Sequence, residues 1–266
     1  MFDQYNRNIN YLRISVTDRC NLRCRYCMPE EGVCMLKHEE IMTYEEIRDV
    51  VSVAVPLGVN KIRLTGGEPL VRKDIVELVS MIASVPGVKD IAMTTNGILL
   101  ERFAAPLAKA GLHRVNVSLD TVDATKFHEV TRGGDIKQVF RGIEAAREAG
   151  LSPIKVNCVV KEDANRSDAA EVDLYCRENG LEGRFIPEMD LKTGHFGIVQ
   201  GGSGGDCTHC NRLRLTSNGK MKPCLFSDLE FDIRELGIKK AMEMALLVKP
   251  EKGTVNLSNC FHNIGG

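Results

Sequence analysis

Ser15-Val16-Thr17-Asp18-Arg19-Cys20-Asn21-Leu22-Arg23-Cys24-Arg25-Tyr26-Cys27-Met28-Pro29 carries three cysteines in the pattern Cys-x3-Cys-x2-Cys. The loop follows directly on a β-like run over 11–17. Three thiolates at Cys20, Cys24 and Cys27 can hold three irons of a [4Fe–4S] cluster, because soft sulfur ligands suit iron–sulfur centres. The loop has no fourth cysteine. The fourth iron therefore stays open, and an open metal position is where chemistry occurs. A zinc site is the alternative; it needs a fourth ligand, and His38 is the nearest candidate. The spacing, the preceding strand and Tyr26 beside Cys27 favour the cluster.

A chain of 266 residues can bury a large core in one main domain with an appendage. With 43% hydrophobic and 27% charged residues the composition is ordinary for a globular protein. A net charge of −1 offers neither a nucleic-acid surface nor a membrane patch. The sequence shows no secretion signal and no apolar run long enough to span a bilayer. Ten cysteines in such a chain read as metal ligands in a reducing cytoplasm rather than as disulfides. Six fall into two metal-like motifs. Cys34, Cys158, Cys176 and Cys260 are scattered and read as packing residues or inert thiols.

From the first strand onward the chain alternates between two periods. Strands are predicted over 11–17, 60–65, 91–95, 114–119, 154–160 and 182–186. Helices are predicted over 43–57, 74–83, 99–110, 135–149 and 167–179. Thr43 with Glu46 forms a capping box at the first helix, and Gly58, Gly111, Gly150 and Gly180 follow helix ends. Alternation of this kind makes right-handed parallel βαβ units. Six of them predict an α/β fold, an incomplete (β/α)6 barrel, over 1–190. In barrels the active-site groups sit at the carboxyl ends of the strands. The first cysteine loop, Thr65-Gly66-Gly67-Glu68-Pro69, Thr94-Thr95-Asn96-Gly97 and Asn116-Val117-Ser118-Leu119-Asp120 all fall at such ends. The glycine pair would let backbone approach a ligand closely, and Glu68 could accept from an ammonium.

After Met189 the pattern changes. Residues 191–206 read as a glycine-rich linker, and 207–266 as a small C-terminal region with a second metal motif. That motif is Cys207-Thr208-His209-Cys210 followed by Cys224, a Cys-x2-Cys-x13-Cys pattern. Zinc with His209 is again the alternative, but a histidine between the paired cysteines is poorly placed to close on the same metal. Arg212 and Arg214 share one face of a predicted strand beside it. Two guanidiniums next to an open iron suit an anionic ligand.

The first loop resembles the radical S-adenosylmethionine (SAM) superfamily. The two cysteine motifs, Gly66-Gly67-Glu68-Pro69, Cys210-Asn211-Arg212-Leu213-Arg214-Leu215 and the terminal Gly265-Gly266 together resemble the GTP 3′,8-cyclase family, which opens molybdenum cofactor biosynthesis. The resemblance implies two [4Fe–4S] clusters, one on Cys20, Cys24 and Cys27 and one on Cys207, Cys210 and Cys224. It implies SAM contacts at Tyr26, Gly67, Ser118 and Met189. It implies GTP contacts at Arg13, Arg63, Thr94, Lys155, Arg212, Leu213 and Arg214. Gly265 and Gly266 would enter the active site as a catalytic tail, with Ile264 as its anchor. In the family a 5′-deoxyadenosyl radical takes the ribose 3′ hydrogen of GTP, and the C3′ radical attacks guanine C8. The resemblance further implies a cytoplasmic homodimer, an external electron donor, and a downstream cyclic pyranopterin monophosphate synthase. No nucleic acid or membrane partner is expected.

Three departures stand out. The segment between Met189 and Cys207 is shorter than in the family, Pro187 stands where the family has Glu, and Phe261 stands where it has Met. Two other readings share the motifs: a peptide-modifying radical SAM maturase with an auxiliary cluster, and a shortened relative that binds clusters without catalysis.

Overall fold

The computed structural model describes residues 1–161, 166–258 and 261–264. Six parallel strands stand side by side in chain order: β1 (Tyr11–Ser15), β2 (Lys61–Thr65), β3 (Asp90–Thr95), β4 (Arg114–Ser118), β5 (Lys155–Val160) and β6 (Glu182–Pro187). Helices α1 (Tyr44–Ala54), α2 (Ile75–Ala83), α3 (Leu100–Lys109), α4 (Ala124–Thr131), α5 (Ile136–Glu148) and α6 (Arg166–Glu178) return the chain between them. Each strand has one apolar face. Leu12, Ile14, Ile62, Leu64, Val115, Val117 and Val156 pack with the helices into a single core. Thr43 and Glu46 complete the expected capping box at α1.

Among the helices between the six parallel strands, α4 was not expected. α4 is only eight residues long and has little apolar periodicity. It starts because the Asp123 carboxylate accepts from the Lys126 amide, and it stops where Arg132 turns left-handed at φ 53°.

The C-terminal part continues the same sheet. β7 (Arg212–Leu215) pairs parallel with β1 on the edge opposite β2. β8 (Lys220–Lys222) and β9 (Phe231–Asp232) add antiparallel strands beyond it, giving the order β6-β5-β4-β3-β2-β1-β7-β8-β9. The outer strands β6 and β9 do not meet, so the barrel is open. Helices α7 (Ile233–Leu236) and α8 (Ile238–Leu247) cover this extension, and α9 (Phe261–Ile264) closes the described chain. A second small core gathers Leu191, Leu225, Phe226 and Ile264. The glycine-rich stretch between the two parts is anchored by backbone pairing of Gln200 with Phe185 and of Val199 with Gly204. Among the described residues no helix is long and apolar enough to cross a membrane.

α3 and α5 pack so closely that a Cβ on Gly142 would lie 2.7 Å from the Gly97 carbonyl oxygen and 2.9 Å from Leu100 Cβ. Backbone cannot yield as a flexible side chain can. Gly142→Val is expected to cost about 1–3 kcal/mol through overpacking, read as a lower denaturation midpoint; an unchanged midpoint would show that this contact is not tight.

Candidate active site

The polar face of the sheet is lined by cations. Register places Arg214, Arg13 and Arg63 abreast on β7, β1 and β2, and Arg114 continues the row on β4 beyond Ala92. Arg212 stands on Tyr11's row, and Arg184 on β6 faces inward beside Asn157. These six arginines line one cavity of about 300 Å³. Arg63 and Arg214 are each only 7% exposed. Burial and the neighbouring Arg212 pull Arg214 down to about 10. Burial and Arg214 likewise lower Arg13, and burial lowers Arg63. The Tyr11 ring offers partial relief, since the Arg63 and Arg212 guanidiniums lie 5.5 and 5.9 Å from its centroid. Arg63 Nε and Arg184 Nε are buried and find no hydrogen-bond partner among the described residues. A buried cationic row with unused donors is built for a polyanion.

The two cysteine motifs lie on opposite sides of this row, at opposite ends of the strands. The first loop leaves the carboxyl end of β1, whereas Cys207 and Cys210 precede the amino end of the parallel neighbour β7. Cys207, Cys210 and Cys224 line the arginine cavity. A second cavity, about 820 Å³, is lined by Tyr26, Cys27 and Val160 among others. Met189 borders both.

The first loop is held from several sides. The carbonyls of Thr131 and Val130 at the end of α4 accept from the Arg23 and Arg25 amides at 3.1 and 3.0 Å. Arg132 reaches back to the Arg23 and Met28 carbonyls, each at 2.9 Å. Burial and the neighbouring thiols Cys27 and Cys20 push Cys24 up to about 12. Three thiols whose ionised forms repel one another are suited to a shared cationic partner. Burial also raises Tyr26, whose hydroxyl bonds the Asp120 carboxylate; that carboxylate takes the Val159 amide at 2.8 Å. Asp120 thus ties the cluster loop to β5.

Gly67 and Glu68 serve the same loop. Their amides donate to Thr17 and Arg19 carbonyls, both at 2.8 Å. A Cβ on Gly67 would sit 2.3 Å from the Arg19 oxygen. Glu68 is not left free to meet an ammonium. It is 1% exposed and accepts from Thr95 Oγ1 at 2.8 Å, the Asn96 amide at 2.6 Å and the Leu70 amide at 3.0 Å. Burial nevertheless pushes its carboxyl up to about 7. Asn96 then donates to Asn21 at 2.8 Å and towards Cys20 Sγ at 3.7 Å.

The second motif is bolted by two buried cations. Arg7, paired with Asp3 at 2.6 Å, donates to the Cys207 carbonyl at 2.8 Å and to the Pro250 and Glu251 carbonyls. Lys249 donates to the Arg212 and Pro223 carbonyls. Burial opposes ionisation of Cys210, but Lys249 and the Arg212 amide outweigh it and set the thiol below its ordinary value. The residues therefore fit a cluster at each motif. Among the described residues no three His, Cys, Asp or Glu side chains converge on a single ion; cluster thiolates each take their own iron and need not do so. His209 is 2.8 Å from Asp206 with an exposed ring, and His38 is exposed on a separate turn. Neither joins the cysteines as zinc would require.

Other expected site residues fall as follows. Leu213 is a correction: it lies on the opposite face of β7 from its two arginine neighbours, fully buried in the core, so its side chain does not reach the cavity. Lys155 is not in the cavity wall; it is held by Glu182 at 2.5 Å. Thr94 stands beside Asn116 on the polar face, and Thr94 Oγ1 and Asn116 Oδ1 are buried without partners among the described residues. Ser118 ends β4 opposite Asn157. Gly265, Gly266 and Cys260 lie outside the described residues. The sequence reading missed Arg7, Lys61, Arg114, Arg184 and Lys249. Strand alternation could have found Arg114 and Arg184, which share a face with Asn116 and Ile186.

Residues 14–175 match the Radical SAM superfamily, and residues 171–252 match Molybdenum Cofactor Synthesis C. A GTP 3′,8-cyclase of Alkaliphilus oremlandii is 41% identical over 300 positions, covering 95% of this chain and 94% of that protein. Another, from Thermodesulfovibrio yellowstonii, is 43% identical over 89% of this chain and 88% of its own length. The first alignment is longer than the chain itself, so gaps open in this sequence. Streptococcus suis SuiB bound to S-adenosylmethionine shares the fold with a TM-score of 0.67 at 16% identity, over 86% of this chain and 64% of that one. Sheet, first loop and matches define a radical SAM enzyme, a class that works with a [4Fe–4S] cluster and SAM. More narrowly, the chain belongs to the GTP 3′,8-cyclase family of molybdenum cofactor biosynthesis.

Because Gly67 meets backbone, Gly67→Ala should displace the first loop. The expected result is loss of about four irons per chain and of SAM cleavage, with the helical circular dichroism kept. Full iron and full SAM cleavage in that variant would show that the contact is dispensable.

Proposed function

We propose that the chain converts GTP to (8S)-3′,8-cyclo-7,8-dihydroguanosine 5′-triphosphate, holding one cluster on Cys20, Cys24 and Cys27 and a second on Cys207, Cys210 and Cys224. The observation that carries this reading is the single cavity shared by six arginines and the second cysteine set. When bound, the first cluster and SAM supply a 5′-deoxyadenosyl radical, and the second cluster offers an open iron to the guanine. The chain's own residues hold one nucleotide at both ends. Arg13, Arg63, Arg212 and Arg214 take the triphosphate through charge-assisted bonds. Arg114 and Arg184 close on it from the β4 and β6 side. Lys155 joins by exchanging Glu182 for phosphate. Thr94 offers its unpaired hydroxyl to the sugar.

On the other side, Tyr26, Gly67, Ser118 and Met189 position SAM. Met189 suits this because it borders both cavities, and Tyr26 because it lies beside Cys27 in the wall of the second. The glycines 202, 204 and 205 flank the arginine cavity in place of the longer family segment. Their small size leaves the cavity wide. Family membership supports the remaining roles: a homodimer that takes electrons from an external donor and passes its product to a cyclic pyranopterin monophosphate synthase. The peptide-maturase reading has only the likeness of fold to SuiB on its side, against relatives of 41–43% identity that are GTP 3′,8-cyclases.

Anaerobically reconstituted protein should hold about eight irons and form the cyclised nucleotide from SAM and GTP. Arg13→Gln should weaken GTP binding by about 1.5–3 kcal/mol, the worth of a charged hydrogen bond, measured by calorimetry with and without SAM. If GTP binds no better than inorganic triphosphate, the guanine does not meet the second cluster and the reading fails.

Gly265 and Gly266 are proposed to act as a tail that enters beside the substrate, where backbone without side chains fits. Support comes from Ile264, 1% exposed and packed with Leu191, Leu225 and Phe226, near Met189 and Cys224. That burial gives the tail a fixed root in the site wall. Deleting Gly265 and Gly266 should leave the iron count and SAM binding intact while the cyclised product disappears. Product formation at the full-length rate would reduce the tail to a frayed terminus.

A further inference from the structure

Lys249 is 2% exposed, yet among the described residues it forms no ion pair with a carboxylate. A buried ammonium carries three donors, and leaving any unfilled is costly. Two go to backbone carbonyls, Arg212 at 2.8 Å and Pro223 at 2.7 Å. The same side chain lines the arginine cavity together with Cys207, Cys210 and Cys224. Arg212 lies two residues after Cys210, and Pro223 immediately precedes Cys224. One cation therefore spans two arms of the second motif. The next two residues, Pro250 and Glu251, are bound by Arg7, which also holds the carbonyl of Cys207. The segment 249–251 thus ties all three arms together.

We propose that Lys249 is a positioning residue of the second cluster: it fixes the Cys210 and Cys224 arms through their backbone carbonyls and, as a buried ammonium in the wall that holds the three cysteines, favours the reduced form of that cluster. The inference rests on the second-cluster reading above. Reduction adds one electron, taken from a low-potential donor, to a centre already ringed by thiolates. A buried cation in the wall of the site stabilises that added charge, and nearby charge and burial are among the features that set such potentials. Arg7 differs, because its charge is matched by Asp3. An ammonium suits the place better than a guanidinium, since its compact head donates to two carbonyls on separate arms.

The test is an anaerobic redox titration of the reconstituted holoenzyme, followed by electron paramagnetic resonance, with the first cluster as internal reference. In Lys249→Met the second cluster should be harder to reduce, with a tenfold lower reduced-to-oxidised ratio at fixed potential, about 59 mV for one electron. Loss of the second cluster alone would also support the assignment. Lys249→Arg should restore occupancy and most of the potential. Eight irons with an unchanged second-cluster potential in Lys249→Met would overturn this inference and leave the second cluster standing. Only four irons in the unaltered protein would remove the second cluster, and the inference with it. Should Lys249→Met not fold, unaltered protein grown on lysine labelled with heavy nitrogen decides the matter. Electron spin-echo modulation of the reduced second cluster should then show a coupling to the labelled nitrogen, and its absence would overturn the proposal.

Discussion

Three guanidiniums abreast on neighbouring parallel strands are the constraint on which the site depends. Arg214, Arg13 and Arg63 share one register row, and adjacent strands lie about 4.8 Å apart. At an effective dielectric of about 20, two unit charges at that spacing repel by on the order of 3 kcal/mol. Splayed side chains reduce this figure without removing it. The strands cannot separate, because their opposite faces are locked into the core by Leu12, Ile14, Ile62, Leu64, Leu213 and Leu215. The sheet therefore imposes a charge density that isolated side chains would avoid. An anion is the group that turns this repulsion into attraction.

The same pairing decides where the metal chemistry stands. β1 feeds the first cysteine loop at its carboxyl end, and β7 receives the second motif at its amino end. Since the two strands are parallel neighbours, the motifs occupy opposite ends of one cationic surface. The proposed nucleotide would place its phosphates at the guanidiniums and its base and sugar towards the cysteine motifs. The loops themselves are kept rigid by backbone contacts rather than by their cysteines. Arg132 and the end of α4 hold the first loop; Arg7 and Lys249 hold the second. A radical enzyme needs such rigidity, because a reactive intermediate must meet one hydrogen and no other.

Much of this was legible in the sequence, because the determinants are local. Strand alternation, helix periodicity, the Thr43–Glu46 capping box and both cysteine motifs each depend on residues a few positions apart. The pairing of β7 with β1 left no such mark. It joins residues about 200 positions apart, and a parallel edge contact has no sequence signature of its own. The misplacement of Leu213 is of a different kind. The alternation that puts Arg212 and Arg214 on one face puts Leu213 on the other, so the period of two already held the answer. Arg7 and Lys249 were hidden for a third reason. Arg7 sits among polar neighbours and Lys249 after the apolar run Leu246-Leu247-Val248; neither belongs to a motif, and their importance comes from backbone carbonyls that only the folded chain brings within reach.

The near-neutral chain and the cationic cavity are reconciled by where the carboxylates go. Asp90 pairs with Arg114 at the cavity edge, Glu182 with Lys155, and Asp3 with Arg7. All of these stand at the margins or behind the wall. Of the acidic residues, Asp206 alone is in the lining described, and it is turned to His209. The described carboxylates thus lie off the interior row. Any anion that binds the folded form and not the unfolded chain stabilises the fold by RT ln(1 + [L]/Kd). On the proposed reading, such binding would couple occupancy of the site to the integrity of the open barrel through the same arginines that the parallel register sets abreast.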